Sequence, residues 1–348
     1  MLSFIMVQLI RRKEMMKMAY EAPYKITDEM VSLVAKITEK IGTIKHYESL
    51  DKFPKLRKQN RMRSIHSSCA IEANSLSIDQ VKDIINGKLV VGPQKEIQEV
   101  KNAIQAYSII EQINPFLLSD LLEIHKEMTM YLVNNSGPFR NGEEGVFDGN
   151  NCIFIAPPAK YIPQLMSDLY EWVNTNKNII NPLILSSAFH YEFVFIHPFE
   201  DGNGRTARLL QSAILGKYYS IFYWLPLEHY IKDYQEEYYK AISDSHIDGE
   251  STKFIIFMLE MINKTIDDVS IDLSKQDSQI SLYVKKLLNV MEEDIFMTAL
   301  EIMDLLGLKS KETFRKNYIN PAINSGLIKL EFPDKPTSRN QRYVKVSK

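Results

Sequence analysis

The chain has 348 residues, 45% of them apolar and 25% charged, which is enough for one large domain or two to three ordinary ones with buried cores. Its 42 basic and 44 acidic residues leave a formal charge of -2, so no net positive field draws it to nucleic acid or an anionic membrane, and only a local patch could do so. The cysteines Cys69 and Cys152 are too few for a disulfide framework or a thiolate zinc site and fit a reducing compartment.

The opening apolar run, LSFIMVQLI, stops at Arg11 and Arg12. It lacks the flanks of a secretion signal, and neither it nor any later run reaches the roughly 18 apolar residues that a bilayer requires. A cytoplasmic protein with no membrane partner is therefore expected. From Thr27 to Ile44, Met30, Val31, Leu33, Val34, Ile37 and Ile41 recur at helical spacing, with Thr27 as a cap. Similar patterns cover 58–70, 77–86, 94–113, 118–133, 160–174, 181–194, 204–219, 228–245 and 250–266, so this portion is expected to be mainly α.

Two interruptions stand out. The glycine-rich run from Asn134 to Pro158 holds short apolar pieces around Val146 and at Ile153, Phe154 and Ile155, which reads as a small hairpin or flap. The second is HPFEDGNGR, between two helices. Farther on, the polar stretch DDVSIDLSKQDSQ at 267–279 is the best candidate for a domain boundary. Beyond it, helices are expected at 281–290, 297–305 and within 309–325, the last with a break near Pro321, followed by two short strands around PDKPTSRN. Three helices and a hairpin are the order of a winged helix-turn-helix. Its last helix carries Lys309, Lys311, Arg315 and Lys316, and the hairpin adds Lys335, Arg339 and Arg342. These cations fit a DNA groove and its phosphates, or equally a solvated or protein-docking face.

The run from His197 to Arg208 is HPFEDGNGRTAR. Gly202 and Gly204 permit a tight turn with exposed N–H groups, and the helix that follows adds the positive end of its dipole, so the loop reads as an anion cradle. Arg205 and Arg208 lie three apart and can reach bound phosphates from one helix face. Asp201 offers a hard oxygen for a Mg²⁺–nucleotide complex. His197, with an ordinary pKa near 6.5, is suited to accept a proton from an attacking hydroxyl. Each residue alone has a structural reading as well, as a packed histidine, a turn or a surface charge. Their combination within twelve residues is what points to phosphate chemistry.

This run resembles the signature of the Fic family, H-x-F-x-(D/E)-G-N-G-R-x-x-R, at every specified position. The resemblance extends to LLEIHKEM, to GPFR and the flap after it, and so over about residues 90–265. It implies a Fic-type helical core with a hairpin flap, transfer of AMP from ATP to a Ser, Thr or Tyr hydroxyl of a target protein, and ATP with Mg²⁺ as the bound groups. It further implies His197 as general base and Asp201 as the Mg²⁺ ligand. Gly202, Asn203 and Gly204 become the anion hole, Arg205 and Arg208 the phosphate holders, and Phe199 a core anchor. Val146, Phe147, Ile153 and Phe154 are the flap candidates for docking the target by strand addition. Tyr238, in the series Tyr230, Tyr234 and Tyr238, either borders the adenine or packs a helix, and His125 is expected to pack against the signature loop.

Upstream, HSSCAIEAN places Ser68 and Glu72 four residues apart, on one helical face. The segment resembles the family's inhibitory motif (S/T)-x-x-x-E-(G/N), which implies that Glu72 reaches Arg208 and keeps ATP in an unreactive pose. Ala73 departs from the pattern's Gly or Asn. Alanine is the better helix former, so the helix is expected to run one residue further and shift the aim of Glu72. The organisation expected is an N-terminal helical segment at 1–89 with the inhibitory motif, a catalytic core at 90–266, and a winged helix-turn-helix at 280–348. A second copy of the chain and DNA stand beside the target protein as partners, and a DNA-binding regulator or the transfer of another phosphate-containing group as alternative functions.

Overall fold

The computed structural model of the chain describes residues 20–45, 54–148, 151–279 and 281–346. The opening apolar run lies outside the described residues, as do the side chains of Val146, Phe147, Ile153 and Phe154. Among the described residues no helix is long and apolar enough to cross a membrane. The chain divides into two units, one holding residues up to Thr38 with Arg61–Thr265, the other Glu39–Asn60 with Ile266 onward.

In chain order the helices and strands up to the second unit's C-terminal part are α1 (Asp28–Lys45), α2 (Pro54–Ile71), α3 (Ile78–Ile85), α4 (Gln94–Ser108), α5 (Leu118–Thr129), β1 (Gly145–Asp148), β2 (Asn151–Ile155), α6 (Ile162–Asn176), α7 (Pro182–Ile196), α8 (Asn203–Tyr218), α9 (Leu227–Asp233), α10 (Gln235–Asp248) and α11 (Thr252–Gln279). The first unit is built around α7 and α8. Helix α7 opens with Pro182 behind Asn181, whose side chain accepts the Leu183 amide, a cap matched to the fixed φ of proline. Apart from Val194 and Phe195, its residues from Leu183 to Ile196 are all buried. A helix apolar all round can only sit inside, and α7 is covered by α6 on one side and α8 on another. Helix α8 is buried from Arg205 to Gly216 and also meets α5. The loop that joins α7 to α8 is therefore held between the two most deeply packed helices.

Strands β1 and β2 pair antiparallel, Val146 opposite Phe154 and Phe147 opposite Cys152, with a register shift between Val146 and Phe147. The expected hairpin is present at the expected place.

Several boundaries differ from the sequence reading. The polar stretch at 267–279 is helical, the end of α11, where Ile266, Val269 and Leu273 are buried at helical spacing, and the division between the two units falls directly ahead of it, between Thr265 and Ile266. Polarity there marks a solvated face, which a helix can carry as well as a loop can. The single helix expected at 228–245 is two, α9 and α10, separated at Tyr234 with φ -114 and ψ 41. Tyr230, Tyr234 and Tyr238 therefore do not form one helical stripe. Helices α4 and α5 end before the expected 113 and 133.

The C-terminal part holds α12 (Leu282–Val290), β3 (Met297–Thr298), α13 (Ala299–Leu305), a helical segment over 311–324, β4 (Ile328–Leu330) and β5 (Arg342–Lys345). The strands form one antiparallel sheet in the order β3-β5-β4. Three helices and a hairpin are present as expected, with β3 as an additional strand. Thr298 and Glu301 form a capping box at the start of α13. Pro321 does not break the third helix: residues Phe314–Ile319 widen into π turns and the chain continues helically through Asn320–Asn324. A wider turn ahead of a proline fits a ring that cannot donate an N–H and crowds the carbonyl four residues back. Phe314, Tyr318, Ile319 and Ala322 face the core with Leu287 and Ile302. Lys311, Arg315 and Lys316 lie exposed and line an open concavity with Glu312 and Asn320. Arg342 differs from this set, since Glu331 holds it in an ion pair.

Candidate active site

The site begins with a backbone exception. His197 ends α7 in the left-handed region, φ 51 and ψ 62, with its amide bonded to Phe193 O. For a residue with a Cβ this conformation costs about 1–2 kcal/mol, and such strain gathers at functional sites. It turns the chain sharply out of α7. Burial and the nearby Arg140 charge lower the His197 pKa, while a hydrogen bond to the Val194 carbonyl acts in the opposite direction. The ring is thus neutral at neutral pH, with one nitrogen turned to Val194 and the other available as an acceptor.

The loop is closed by its own side chains. Asn203 Oδ1 accepts the Phe199 amide at 3.0 Å and Nδ2 donates to Phe199 O at 2.8 Å. The amide expected to add a donor to the anion hole is thus engaged in shaping it. Phe199 is fully buried and stacks on His125, with ring centroids 3.5 Å apart. His125 accepts the Gly137 amide at Nδ1, 3.0 Å, and its Nε2–H donates to Asp201 O at 2.9 Å. These partners fix the neutral Nε2–H tautomer, and burial pushes the pKa down to about 4. His125 and Phe199 therefore pack as expected, and His125 also ties α5 to the loop. Gly202 is required twice over: its φ is 79, and a Cβ there would stand 2.6 Å from Thr129 Cγ2.

No side chain caps the first turn of α8, so its leading N–H groups remain open to an anion. Arg205 lies beside them, 1% exposed, with Nη2 at 2.9 Å from Asp201 Oδ1 and Nη1 at 3.9 Å from Glu99 Oε1. Its Nε and Nη1 are buried without a hydrogen-bond partner. Unpaired buried guanidinium nitrogens are costly, and a phosphate oxygen is the acceptor they suit. Asp201 turns Oδ1 to Arg205 and to the Gly202 amide. Its other oxygen has no partner among the described residues, and the side chain is 37% exposed. Among those residues no cluster of three or more ligating groups exists, so a cation here would draw its remaining ligands from phosphate and water, as Mg²⁺ commonly does.

The segment with Ser68 and Glu72, at the end of α2, meets Arg208. Nη2 donates to Glu72 Oε1 at 2.8 Å and to Ser68 O at 2.9 Å, and Nε to Ser68 Oγ at 3.2 Å. Ser68 and Glu72 thus converge on the arginine expected. Gly204 makes room for them, since a Cβ there would lie 2.3 Å from Glu72 Oε1. Tyr238 is buried and hydrogen-bonded to His190 Nε2, in a cluster with Phe254 and Phe257. Of its two sequence readings, packing is the one the geometry fits.

The expected extension of the α2 helix does not occur. Asn74 N bonds Cys69 O at 3.2 Å and Ala73 N bonds Ala70 O at 3.0 Å, the pair of bonds of a Schellman turn, with Ala73 left-handed at φ 65. Ala73 therefore occupies the position that favours glycine or asparagine, and tertiary contacts, not helix propensity, decide where the helix stops. Gln235 Nε2 and Tyr239 OH both donate to Ile71 O at 3.1 Å, and Asn74 Nδ2 donates to Glu99 Oε2 at 2.8 Å. Glu99, Gln235 and Tyr239 were not singled out in the sequence, because no local pattern marks residues that meet the motif from other helices.

Residues 113–215 match the profile of the Fic/DOC family, and residues 283–344 that of the Filamentation induced by cAMP protein Fic-like, C-terminal domain. Protein adenylyltransferase fic-1 of Caenorhabditis elegans is 27% identical over 200 residues, 55% of this chain and 38% of that protein. Protein adenylyltransferase Fic of Culex quinquefasciatus is 29% identical over 220 residues, 60% of this chain and 42% of that protein. The chain thus spans less than half the length of these curated relatives. The solved Fic-1 fragment from C. elegans, at 21% identity and TM-score 0.61 over 71% of this chain and 73% of that one, shares the fold. A solved Fic family protein from Desulfovibrio desulfuricans is 38% identical with a TM-score of 0.70, over 94% of this chain and 99% of that one. Identity at that level over nearly the whole of both molecules, with the signature loop folded as described, places this chain in the Fic family.

Proposed function

We propose that the chain transfers AMP from ATP to a Ser, Thr or Tyr hydroxyl of a protein, and that Glu72 restrains the reaction in cis. The observation that carries the reading is Arg205, whose Nε and Nη1 are buried without a hydrogen bond at the uncapped start of α8, with Asp201 bound to its third nitrogen. The relatives named as protein adenylyltransferases support it. In the reaction, the target hydroxyl oxygen bonds the α-phosphorus, the bond from that phosphorus to the diphosphate oxygen breaks, and the hydroxyl proton passes to His197. Arg205 and the leading N–H groups of α8 receive the phosphate oxygens. Asp201 would hold Mg²⁺ through its open oxygen, and the ion, when bound, supplies positive charge to the leaving diphosphate. Arg208, occupied by Glu72 and Ser68, is withheld from the nucleotide.

The test incubates the chain and cell lysate with ATP labelled at the α- or the γ-phosphate, comparing Glu72→Gly, His197→Ala and the double variant. Protein-bound α-label that rises in Glu72→Gly and is absent from the double variant is the expected result. Label from the γ-phosphate alone would mean phosphoryl transfer, and none of either kind despite ATP binding would defeat the reading.

A second role is supported for the C-terminal unit by Lys311, Arg315 and Lys316, exposed around one concavity and in no ion pair among the described residues. Such a surface fits DNA phosphates. Charge reversal at Arg315 and Lys316 should weaken retention on duplex DNA and flatten its salt dependence; unchanged retention would remove this role.

A further inference from the structure

Arg140 ends the GPFR run ahead of the flap, and its side chain is buried. Nε donates to the His197 carbonyl at 2.7 Å, Nη1 to the Gly142 carbonyl at 2.7 Å and Nη2 to the Pro157 carbonyl at 2.6 Å. Its own amide donates to Pro198 O at 2.9 Å. Gly142 stands ahead of β1 and Pro157 behind β2. Between them the Ala156 amide donates to Glu144 O at 3.0 Å, closing the base of the hairpin. One guanidinium thus holds both feet of the flap and the carbonyl of the residue expected to act as base.

This arrangement is costly in two ways. No carboxylate among the described residues forms an ion pair with Arg140, and burial lowers its pKa, opposed by the fields of Glu144 and Glu143. A buried cation held by carbonyl dipoles alone is an unusual choice for stability. His197 also holds a left-handed conformation that a histidine does not favour locally, so the peptide after it needs an outside anchor. Arginine suits this task where lysine does not, because its nitrogens diverge from a rigid plane toward three separate acceptors, whereas lysine offers one nitrogen.

We propose that Arg140 is a positioning residue: by fixing both feet of the flap and the His197 carbonyl on one guanidinium, it sets the aim of a flap-bound hydroxyl at the base. The hydroxyl in that statement rests on the AMP-transfer reading, while the linkage of flap to base does not. The chemistry is unchanged by it. What Arg140 governs is whether a docked protein hydroxyl and the His197 ring meet.

The linkage is tested in the full chain by hydrogen exchange, comparing Arg140→Lys and the neutral Arg140→Gln with the parent. Loss of charge-assisted hydrogen bonds at each end should speed exchange by about tenfold in two segments together, 142–157 and 197–202, and leave α6 and α7 unchanged. Acceleration of one segment alone, or equal acceleration throughout the unit, would overturn the proposal, the latter because it describes general loosening. The consequence for transfer is read in the Glu72→Gly background, as protein-bound α-label relative to free AMP. Water needs no flap to reach the α-phosphorus, so Arg140→Lys should cut this ratio at least about fivefold with ATP affinity changed by less than about twofold. An unchanged ratio would sink the positioning role. Absence of any label in Glu72→Gly itself would count against the transfer reading and the hydroxyl-aiming role, leaving the linkage to be decided by exchange.

Discussion

Glu72 Oε1 stands 2.8 Å from Arg208 Nη2, and the two side chains are unequally buried, 35% exposed for Glu72 and 1% for Arg208. Glu72 is thus the partner that can leave, and Arg208 is fixed in the core with two hydrogen bonds to Ser68. A hydrogen bond between charged groups contributes roughly 1.5–3 kcal/mol, which corresponds to about tenfold to 150-fold in a population. Glu72→Gly should raise AMP transfer within that range, and Glu72→Gln, which keeps an acceptor without the charge, should fall between. Equal rates for the parent and both variants would show that the contact does not limit the reaction.

Ala73 holds a left-handed conformation directly after Glu72. Glycine adopts that conformation at roughly 1 kcal/mol less cost. Ala73→Gly should therefore strengthen the turn that presents Glu72, raising the midpoint of thermal unfolding by a few degrees and lowering basal transfer up to about fivefold. A rise in basal transfer would mean that the turn does not support the inhibitory pose.

The strain at His197 separates stability from activity. Both His197→Ala and His197→Gly should abolish transfer, but the glycine variant should be more stable than the alanine variant by about 1 kcal/mol, because only it relaxes at φ 51. Denaturant unfolding of the two proteins decides this. An alanine variant at least as stable would mean that the loop moves out of the left-handed region when the imidazole is lost.

Burial holds the His125 pKa down to about 4 and that of His190 to about 3. The unfolded chain takes up these protons near pH 6.5, so between that pH and about 4 the unfolded state binds more protons than the folded one. Stability should therefore decline as the pH falls through this window, by about 3 kcal/mol from His125 alone. Unfolding at pH 7, 5.5 and 4.5 measures it, and His125→Gln should flatten the dependence. A variant with the parent's full slope would assign the effect to other groups.

The acid limb of transfer should follow His197, whose pKa lies below the ordinary value because of burial and Arg140. In the proposed reaction the neutral imidazole accepts the proton, so the rate should hold from pH 8 down past 6.5 and fall only below it. A limb centred above 6.5 would contradict the environment described for that ring.

Much of this was legible from the chain alone. Helical periodicity located α1, because an apolar face must repeat near 3.6 residues wherever a helix is buried on one side, as Met30, Ile37, Ile41 and Ile44 are. The signature from His197 to Arg208 marked the site, because phosphate binding needs a base, a hard oxygen, glycines and guanidinium groups within reach of one loop. Ser68 and Glu72 could be paired with Arg208 through the family pattern. The end of α11 could not be read, since a polar stretch has the same composition on a helix face as in a linker. Nor could the break at Tyr234, which leaves the spacing of the tyrosines intact.

What the tertiary structure decided is everything that depends on partners distant in sequence. Arg140 is one arginine among the chain's cations until folding brings His197 and Pro157 to its fork, 57 and 17 residues away. Ala73 reads as a helix former until Gln235, Tyr239 and Glu99 hold the segments around it and the chain turns left-handed there. Local sequence determines which groups are present and which segments can be helices; the free energy of buried hydrogen bonds between segments determines where those helices stop and which charge meets which.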